Sequence, residues 1–154
     1  MPSAIRTFGP LLAAATAVVG LGLTAPSASA APTGANGVVE TYQNKVTGRC
    51  LDDSQAGLRA FGCNNLPFQQ WDVMRIGDLR QLRNLATNGC LDDSFAYGLR
   101  TVPCYGNKYQ QWKPESAPGG ITLTNAATGR RLDDSLAFGL RPLAPNGTDF
   151  QIWK

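Results

Sequence analysis

Phe68-Gln69-Gln70-Trp71 is the stretch that decides the fold, because the same aromatic-Gln-x-Trp phrase occurs three times in the chain. It returns as Tyr109-Gln110-Gln111-Trp112 and as Phe150-Gln151-Ile152-Trp153. The Trp residues are 41 positions apart in both steps, from 71 to 112 and from 112 to 153. A constant period of this length indicates internal repeats of one structural unit.

Two further phrases recur ahead of each Trp. The Leu-Asp-Asp-Ser copies are Leu51 to Ser54, Leu91 to Ser94 and Leu132 to Ser135. The Gly-Leu-Arg copies begin at Gly57, Gly98 and Gly139. We therefore divide the folded part of the chain into three repeats, at 38–78, 79–119 and 120–154.

Residues 1–30 have the pattern of a secretory signal peptide. Arg6 precedes an apolar run, and Ala28-Ser29-Ala30 has the small-x-small pattern of a cleavage site. The apolar run is short and broken by glycine, and no second long apolar stretch follows, so we expect no membrane anchor. Residues 31–37 are rich in Ala, Pro and Gly and are expected to form a flexible leader. The sequence thus predicts a secreted, extracellular protein.

The charge of the chain after residue 30 is nearly balanced. Without Arg6, 13 of the 14 basic residues remain against 11 acidic residues, and no run of like charges occurs. This balance gives no electrostatic reason to expect nucleic-acid or membrane binding.

The four cysteines are arranged as two pairs. In the repeat alignment Cys50 matches Cys90, and Cys63 matches Cys104. The third repeat has Arg131 and Pro145 at these two places, so both partners are lost together. We infer the disulfides Cys50–Cys63 and Cys90–Cys104, which a secreted context permits. Zinc is the rival interpretation, but the chain has no Cys-x-x-Cys and no His, so neither a metal nor a cofactor is predicted.

Short apolar stretches between Gly, Pro and Asn turns predict an all-β domain. The first repeat has candidate strands at 39–44, 49–52, 57–63 and 69–73, with a turn at Thr47-Gly48. The second and third repeats have the corresponding strands, with turns at Asn88-Gly89 and Thr128-Gly129. Four strands in each of three repeats predict a twelve-stranded body with pseudo-threefold symmetry. A three-bladed propeller is the alternative, but propellers typically have four to eight blades.

The repeats are expected to share one hydrophobic core. Removing residues 1–30 from 154 leaves 124, too few for three independent domains. The apolar residues expected to meet in this core are Leu51, Trp71, Leu91, Trp112, Leu132 and Trp153. The glutamines beside them, Gln69, Gln110 and Gln151, are expected to satisfy buried backbone groups rather than to bind a ligand. We therefore predict a β-trefoil.

The three Gln-x-Trp phrases, with Cys-Leu-Asp ahead of two of them, resemble the ricin B-chain type lectins. The third repeat, from Asn125-Ala126-Ala127-Thr128-Gly129-Arg130 to its final Trp153, is most similar to actinohivin-like lectins of actinomycetes, which bind high-mannose glycans. The resemblance covers residues 38–154. It implies a β-trefoil with one shallow sugar pocket in each repeat.

The resemblance also implies which residues line those pockets. The Asp that follows Leu accepts hydrogen bonds from sugar hydroxyls, an Asn follows the second Cys position, and an aromatic ring stacks on the sugar. Where actinohivin-like repeats carry a Tyr, this chain has Arg in all three copies. Arg offers a charged fork that suits carboxylate or phosphate. The predicted carbohydrate-binding residues are Asp52, Arg59, Phe61, Asn64, Asp92, Tyr97, Arg100, Tyr105, Asp133, Phe138, Arg141 and Asn146.

The repeated Asp and Arg residues also have structural interpretations. Asp52, Asp92 and Asp133 could cap the turn that follows them. The second carboxylates, Asp53, Asp93 and Asp134, could pair with Arg59, Arg100 and Arg141 as surface ion pairs of little energetic weight. In the functional interpretation, Asp and Arg line one polar pocket and Arg donates to sugar hydroxyls or to an acidic sugar.

The sequence gives little support to catalysis. Glycosidases need two carboxylates that face one bond about 5 to 10 Å apart, whereas neighbours on a strand point to opposite faces. The chain has no His to act as the usual general base. We therefore predict a non-enzymatic, secreted glycan-binding protein with up to three shallow sites, of which those in repeats one and three are the better candidates. The alternative is a protein-interaction module, either a protease inhibitor or an adaptor in a secreted assembly.

Overall fold

The computed structural model describes residues 37–154, in which eleven short β-strands and three single-turn 3₁₀ helices follow one another. The expected signal peptide at 1–30, and the expected leader apart from Gly37, lie outside the described residues. The strands are β1 Val38–Glu40, β2 Arg49–Ser54, β3 Gly57–Gly62, β4 Trp71–Ile76, β5 Leu79–Asn84, β6 Cys90–Ser94, β7 Gly98–Val102, β8 Trp112–Ala117, β9 Gly120–Asn125, β10 Arg131–Ser135 and β11 Gly139–Leu143. The 3₁₀ helices are Pro67–Gln69, Lys108–Gln110 and Asp149–Gln151. No helix within residues 37–154 is long and apolar enough to cross a membrane.

The architecture is an all-β trefoil, as expected, but several strand boundaries differ from the expectation. The strand expected at 39–44 ends at Glu40, after which Gln43 and Asn44 make isolated bridges. The strands expected to start at Gln69 and Gln110 begin only at Trp71 and Trp112, because each Gln closes a 3₁₀ turn. The twelfth strand is reduced to a single bridging residue, Trp153.

The Trp of each repeat joins its own repeat to the next one. On one side, Trp71 pairs with Glu40, Trp112 with Arg80 and Trp153 with Ile121. On the other side, Trp71 pairs with Asn84, Trp112 with Asn125 and Trp153 with Asn44. The last pairing brings the end of repeat three back to repeat one, and it closes the ring.

The expected core residues form one buried cluster. Leu51, Trp71, Leu91, Trp112, Leu132 and Trp153 are all completely buried, together with Tyr42, Val73, Leu82 and Leu123. Each indole N–H donates to the backbone carbonyl of the Leu in its own repeat. These bonds run from Trp71 to Leu51 at 3.1 Å, from Trp112 to Leu91 at 3.0 Å and from Trp153 to Leu132 at 3.1 Å. A buried Trp therefore keeps its polar atom satisfied in every repeat.

Both expected disulfides are present. Cys50 is bonded to Cys63 and Cys90 to Cys104, with the Cα atoms 5.1 Å apart in each case. In repeat three, Arg131 occupies the place of the first cysteine and donates to Glu115 at 3.2 Å. All four cysteines are in disulfide bonds, so none is a free thiolate that could bind zinc.

One buried hydroxyl among residues 37–154 has no hydrogen-bond partner, that of Thr122 on β9. Repeat two has Gln81 at the equivalent position, and its side-chain amide donates to Gln110 at 3.2 Å. Thr122 is too short to make the corresponding bond to Gln151. A cavity of about 260 Å³ lies beside Thr122, so repeat three lacks here a hydrogen bond and side-chain volume that repeat two has.

Replacing Thr122 with Gln should raise the free energy of unfolding by about 1 kcal/mol, the usual contribution of one hydrogen bond. The new amide would reach Gln151 as Gln81 reaches Gln110, and the neighbouring cavity gives it room. Urea denaturation of the variant and the parent measures the difference. Thr41→Gln is the matched control, because Thr41 is exposed. A loss of stability in Thr122→Gln would contradict the explanation.

Candidate functional site

The two carboxylates of each Asp-Asp pair point to different parts of the molecule, as the alternation along a strand requires. All six are buried, with at most 3% of each residue exposed to solvent. The first Asp of each pair turns toward the hairpin of its own repeat. The second Asp turns toward the next repeat in the ring.

The first Asp is paired with the repeated Arg directly across the hairpin. Asp52 lies opposite Arg59, Asp92 opposite Arg100 and Asp133 opposite Arg141 in the strand register. The Nε of each Arg donates to one carboxylate oxygen of its Asp at 3.0, 3.1 and 3.0 Å. The expectation that Arg59, Arg100 and Arg141 pair with Asp53, Asp93 and Asp134 is therefore wrong. Antiparallel register places the first Asp, not the second, on the face that carries Arg.

The second Asp holds the turn of the following repeat. Asp93 accepts from the Thr128 hydroxyl at 2.6 Å and from the Arg130 Nε at 3.0 Å. Asp134 does the same in repeat one, where it accepts from Thr47 and from the Arg49 Nε at 3.0 Å. These carboxylates are structural, and they tie the repeats into a ring.

The link between repeat one and repeat two differs from the other two links because it contains no arginine. Gly89 occupies the place that Arg49 and Arg130 hold in the other repeats. Asp53 accepts instead from the hydroxyl of Thr87 and from that of Thr101, the latter at 2.9 Å. The ring of three carboxylates is thus complete although one arginine is missing.

An aromatic ring lies against each of the three hairpin arginines. The guanidinium carbon is 4.1 Å from the ring centre of Phe61 for Arg59, and 4.4 Å from that of Tyr97 for Arg100. In repeat three, Arg141 lies 4.6 Å from the ring centre of Phe138. Asp, Arg and an exposed ring therefore stand together in every repeat, although the ring comes from β3 in repeat one and from the preceding loop in the other two.

Repeat two forms a pocket of about 370 Å³ around this group. Its predicted site residues, Asp92, Tyr97, Arg100 and Tyr105, all line this one pocket. Additional walls come from Phe95, Val102, Asn107 and Tyr109. The Asp92 oxygen that Arg100 does not use accepts no hydrogen bond from any described residue. The pocket therefore combines a carboxylate acceptor, guanidinium donors and several aromatic faces.

Repeat three forms a more apolar pocket of similar size, about 370 Å³. Phe138 and Arg141 line it together with Val46, Leu136 and Phe150, whereas Asp133 is not part of its lining. Repeat one has a hairpin loop one residue shorter, with Gln55 and Ala56 between β2 and β3, so it lacks the loop ring that Tyr97 and Phe138 supply. Its Asp52 also differs, because the second oxygen accepts from Gln69 at 3.1 Å.

The two asparagines predicted to bind sugar lie in turns, where their side chains accept hydrogen bonds from the backbone. The side-chain oxygen of Asn64 accepts from the backbone N–H of Leu66 at 3.0 Å, and that of Asn146 accepts from the N–H of Thr148 at 3.0 Å. Neither Asn lines the pockets of repeats two and three. Tyr105, which replaces the Asn in repeat two, is exposed and lines the pocket.

The buried glutamines hold the loops that carry these residues. Gln69 accepts from the N–H of Asn64 at 2.8 Å, Gln110 from that of Tyr105 at 2.7 Å and Gln151 from that of Asn146 at 3.2 Å. Each glutamine also donates to a backbone carbonyl of its loop, at 2.9 to 3.0 Å. These bonds satisfy backbone groups of the loops, which is the structural role expected of the three glutamines.

Several pocket residues were not among the predicted site residues. They include Phe95 and Tyr109 in repeat two and Leu136 and Phe150 in repeat three. A signal for Tyr109 and Phe150 was present, because an aromatic residue precedes the Gln of every Gln-x-Trp phrase. Phe95 and Leu136 follow Asp-Asp-Ser at the same place in their repeats, where repeat one has Gln55. Their position in the pockets depends on the loop conformation.

Among residues 37–154, two groups have clearly shifted pKa values, and neither lines the two pockets. Burial, followed by a hydrogen bond to Glu40, raises the pKa of the Tyr42 hydroxyl. A hydrogen bond from Lys113 lowers the pKa of the Glu115 carboxyl. These shifts belong to the core and to an exposed strand face, so they do not point to an acid or base at the pockets.

Comparison with known families gives a match over more than half of the chain. A family model described as "Ricin-type beta-trefoil lectin domain-like" matches residues 67–153. Among curated proteins, none matches this sequence.

Solved structures with the same fold include designed and natural proteins. The designed 3-fold symmetric protein ThreeFoil is 20% identical, with a TM-score of 0.68 over 75% of this chain and 96% of its own. The Polyporus squamosus lectin, solved with Neu5Acα2-6Galβ1-4GlcNAc, is 13% identical, with a TM-score of 0.68 over 77% of this chain and 48% of its own. An exo-β-1,3-galactanase from Clostridium thermocellum is 20% identical, with a TM-score of 0.69 over 78% of this chain and 30% of its own.

Proposed function

Because this chain belongs to the ricin-type β-trefoil lectin family, we propose that it is a secreted, non-enzymatic carbohydrate-binding protein with up to three shallow glycan sites, one in each repeat. The observation that carries the proposal is the repeat-two pocket, in which Asp92, Arg100 and the ring of Tyr97 meet. Sugars present hydroxyls and an apolar ring face, and this group offers an acceptor, donors and an aromatic surface.

The three sites are unequal in this proposal. Repeat two ranks first because all of its predicted residues line one pocket and Asp92 keeps a free oxygen. Repeat three ranks second, since its pocket is apolar and Asp133 is not part of the lining. Repeat one ranks last, because its hairpin loop carries no aromatic residue and the second carboxylate oxygen of Asp52 already accepts from Gln69. This order replaces the preference for repeats one and three.

The solved relatives support a carbohydrate ligand. A β-trefoil occurs in a lectin that was solved with a glycan and in a galactanase of which this chain spans 30%. The repeat pattern resembles that of actinohivin-like lectins, which bind high-mannose glycans. Mannose oligomers therefore belong among the first sugars to be tested, together with galactosides and acidic sugars.

The test is a glycan array with residues 31–154 and with the variant Tyr97→Ala. We expect binding that Tyr97→Ala weakens about tenfold, because the loss of one stacked ring costs about 1 kcal/mol or slightly more. Tyr97 is exposed, so the variant should retain its fold. Leu66→Ala is the control, as an exposed apolar residue outside the two pockets. A protein that is folded, has both disulfides and binds no glycan would overturn the proposal.

A second candidate is a module that binds a secreted protein. Its support is the group of exposed rings in repeat two, Phe95, Tyr97 and Tyr105, beside Arg100. Aromatic residues and Arg are enriched in protein interfaces. If the glycan array is silent, a pull-down from culture supernatant with the parent and Tyr97→Ala is the appropriate next measurement, and loss of the captured protein in the variant would support this candidate.

A further inference from the structure

The five arginines that bond to the Asp-Asp pairs fall into two classes. Arg49 and Arg130 use both Nε and a terminal nitrogen on a buried carboxylate, and the same terminal nitrogen also donates to a backbone carbonyl at 2.9 Å. The three hairpin arginines, Arg59, Arg100 and Arg141, donate to Asp through Nε alone. Within the described part of the chain, their terminal nitrogens have no acceptor.

The unused nitrogens are accessible. The side chains of the hairpin arginines are 32 to 37% exposed, although the carboxylates they hold are buried. Arg100 and Arg141 line the pockets of repeats two and three. The Asp on one side and the aromatic ring on the other hold each guanidinium in place. Such a preorganised fork loses little conformational entropy when it forms further hydrogen bonds.

A planar carboxylate fits this arrangement better than a hydroxyl does. Two nitrogens of a guanidinium can donate to the two oxygens of a carboxylate in parallel, and such charge-assisted bonds are about twice as strong as neutral ones. In repeat two, the free oxygen of Asp92 can accept from a hydroxyl of the same sugar. The pocket therefore offers partners both for an acidic group and for the sugar that bears it.

The charges around the repeat-two pocket are compatible with an anion. Arg100 already compensates Asp92, and Arg130 compensates the neighbouring Asp93. Lys108, next to the lining residues Asn107 and Tyr109, adds a positive charge without an ion-pair partner in residues 37–154. The surroundings of this pocket are thus slightly positive rather than negative.

We propose that the hairpin arginines make these sites selective for glycans that carry a carboxylate, either a uronic or a sialic acid, with the repeat-two pocket as the principal site. This inference rests on the proposed function and specifies its ligand class. The carboxylate of the sugar accepts from the free nitrogens of Arg100, a sugar hydroxyl donates to Asp92, and the sugar ring lies among Tyr97, Tyr105 and Tyr109.

Calorimetric titration with matched probes tests the inference. The first pair is trigalacturonic acid and its trimethyl ester, which has the same hydroxyls but no charge. The second pair is sialyllactose and lactose. We expect at least tenfold tighter binding of one acidic probe than of its neutral partner, and the pair that responds identifies the source of the carboxylate. In Arg100→Gln the number of acid-binding sites should fall by one, while the exposed control Arg75→Gln keeps it.

Arg100→Lys is the control for misfolding of Arg100→Gln, because Lys keeps a positive charge beside the buried Asp92. It lacks the planar pair of guanidinium nitrogens that would bind a carboxylate. It should retain the fold and lose the preference for the acid. Equal affinity for acid and neutral partner, or an unchanged preference in a folded Arg100→Lys, would overturn the inference and leave the proposed function intact. Failure to bind any saccharide, acidic or neutral, would instead overturn the proposed function itself.

Discussion

Replacing Arg49 with Ala should lower the free energy of unfolding by about 3 kcal/mol, because the substitution leaves a buried carboxylate without its cation. Arg49 donates to Asp134 at 2.5 and 3.0 Å and to the backbone carbonyl of Ser135 at 2.9 Å. No part of the Asp134 side chain is exposed to solvent. These bonds connect repeat three to repeat one, so their loss weakens the contact that closes the ring of repeats.

Urea denaturation of three variants checks this prediction. Arg130→Ala removes the same link between repeats two and three and should cost a similar amount. Arg75→Ala is the matched control, since Arg75 is exposed and has no ion-pair partner in the described part of the chain. It should change the stability by no more than about 0.5 kcal/mol. If Arg49→Ala were as stable as Arg75→Ala, the carboxylate ring would not be a source of stability.

Replacing Gln110 with Ala should cost about 3 kcal/mol and should also remove binding at repeat two, because several partly or fully buried polar groups lose their partner at once. The Gln110 side-chain oxygen accepts from the N–H of Tyr105 at 2.7 Å and of Gly106 at 3.2 Å, and from Gln81 at 3.2 Å. Its amide donates to the carbonyl of Pro103 at 2.9 Å. The loop that presents Tyr105 to the pocket depends on this one side chain.

The neighbouring Gln111 provides the control. Gln111 is half-buried, and its amide donates to the exposed carbonyl of Gly106 at 2.9 Å. Gln111→Ala should cost less than about 1 kcal/mol and leave binding unchanged. Denaturation gives the two stabilities, and titration with the best array glycan, at a temperature where both variants are folded, gives the affinities. Full binding by Gln110→Ala would show that the loop holds its shape without Gln110.

The fold was predictable from the sequence because its determinants recur at fixed spacing. Trp71, Trp112 and Trp153 identify the repeats and are the largest side chains in the core. The disulfides followed from the joint loss of both cysteines in repeat three. Strand boundaries were less predictable. In repeats one and two, the Gln of the Gln-x-Trp phrase ends a 3₁₀ turn and the Trp two residues later begins a strand, and elements this short leave no periodic pattern in the sequence.

The candidate site was predictable only in part. A shift of one residue along a strand reverses the face on which a side chain lies, so the choice between Asp52 and Asp53 as the partner of Arg59 needs the strand register. The hairpin loop has two residues in repeat one and three in repeat two, yet the register of Asp against Arg is the same in both. Sequence spacing alone could not reveal this. The walls of the repeat-two pocket come from three separate segments, and only the folded chain brings Phe95 and Tyr109 together.

The pairing of Trp153 with Asn44 brings the end of repeat three beside the beginning of repeat one. Gln43 and Lys154 exchange both backbone hydrogen bonds, at 3.0 and 2.8 Å, so the last residue of the chain lies beside the first repeat. We therefore expect the trefoil to form whichever repeat comes first in the sequence. A circular permutant that joins residue 154 to residue 38 through a short hairpin linker, and that is opened at the exposed turn of Gly77 and Asp78, would retain all three Trp pairings and all three pockets in a new sequence order.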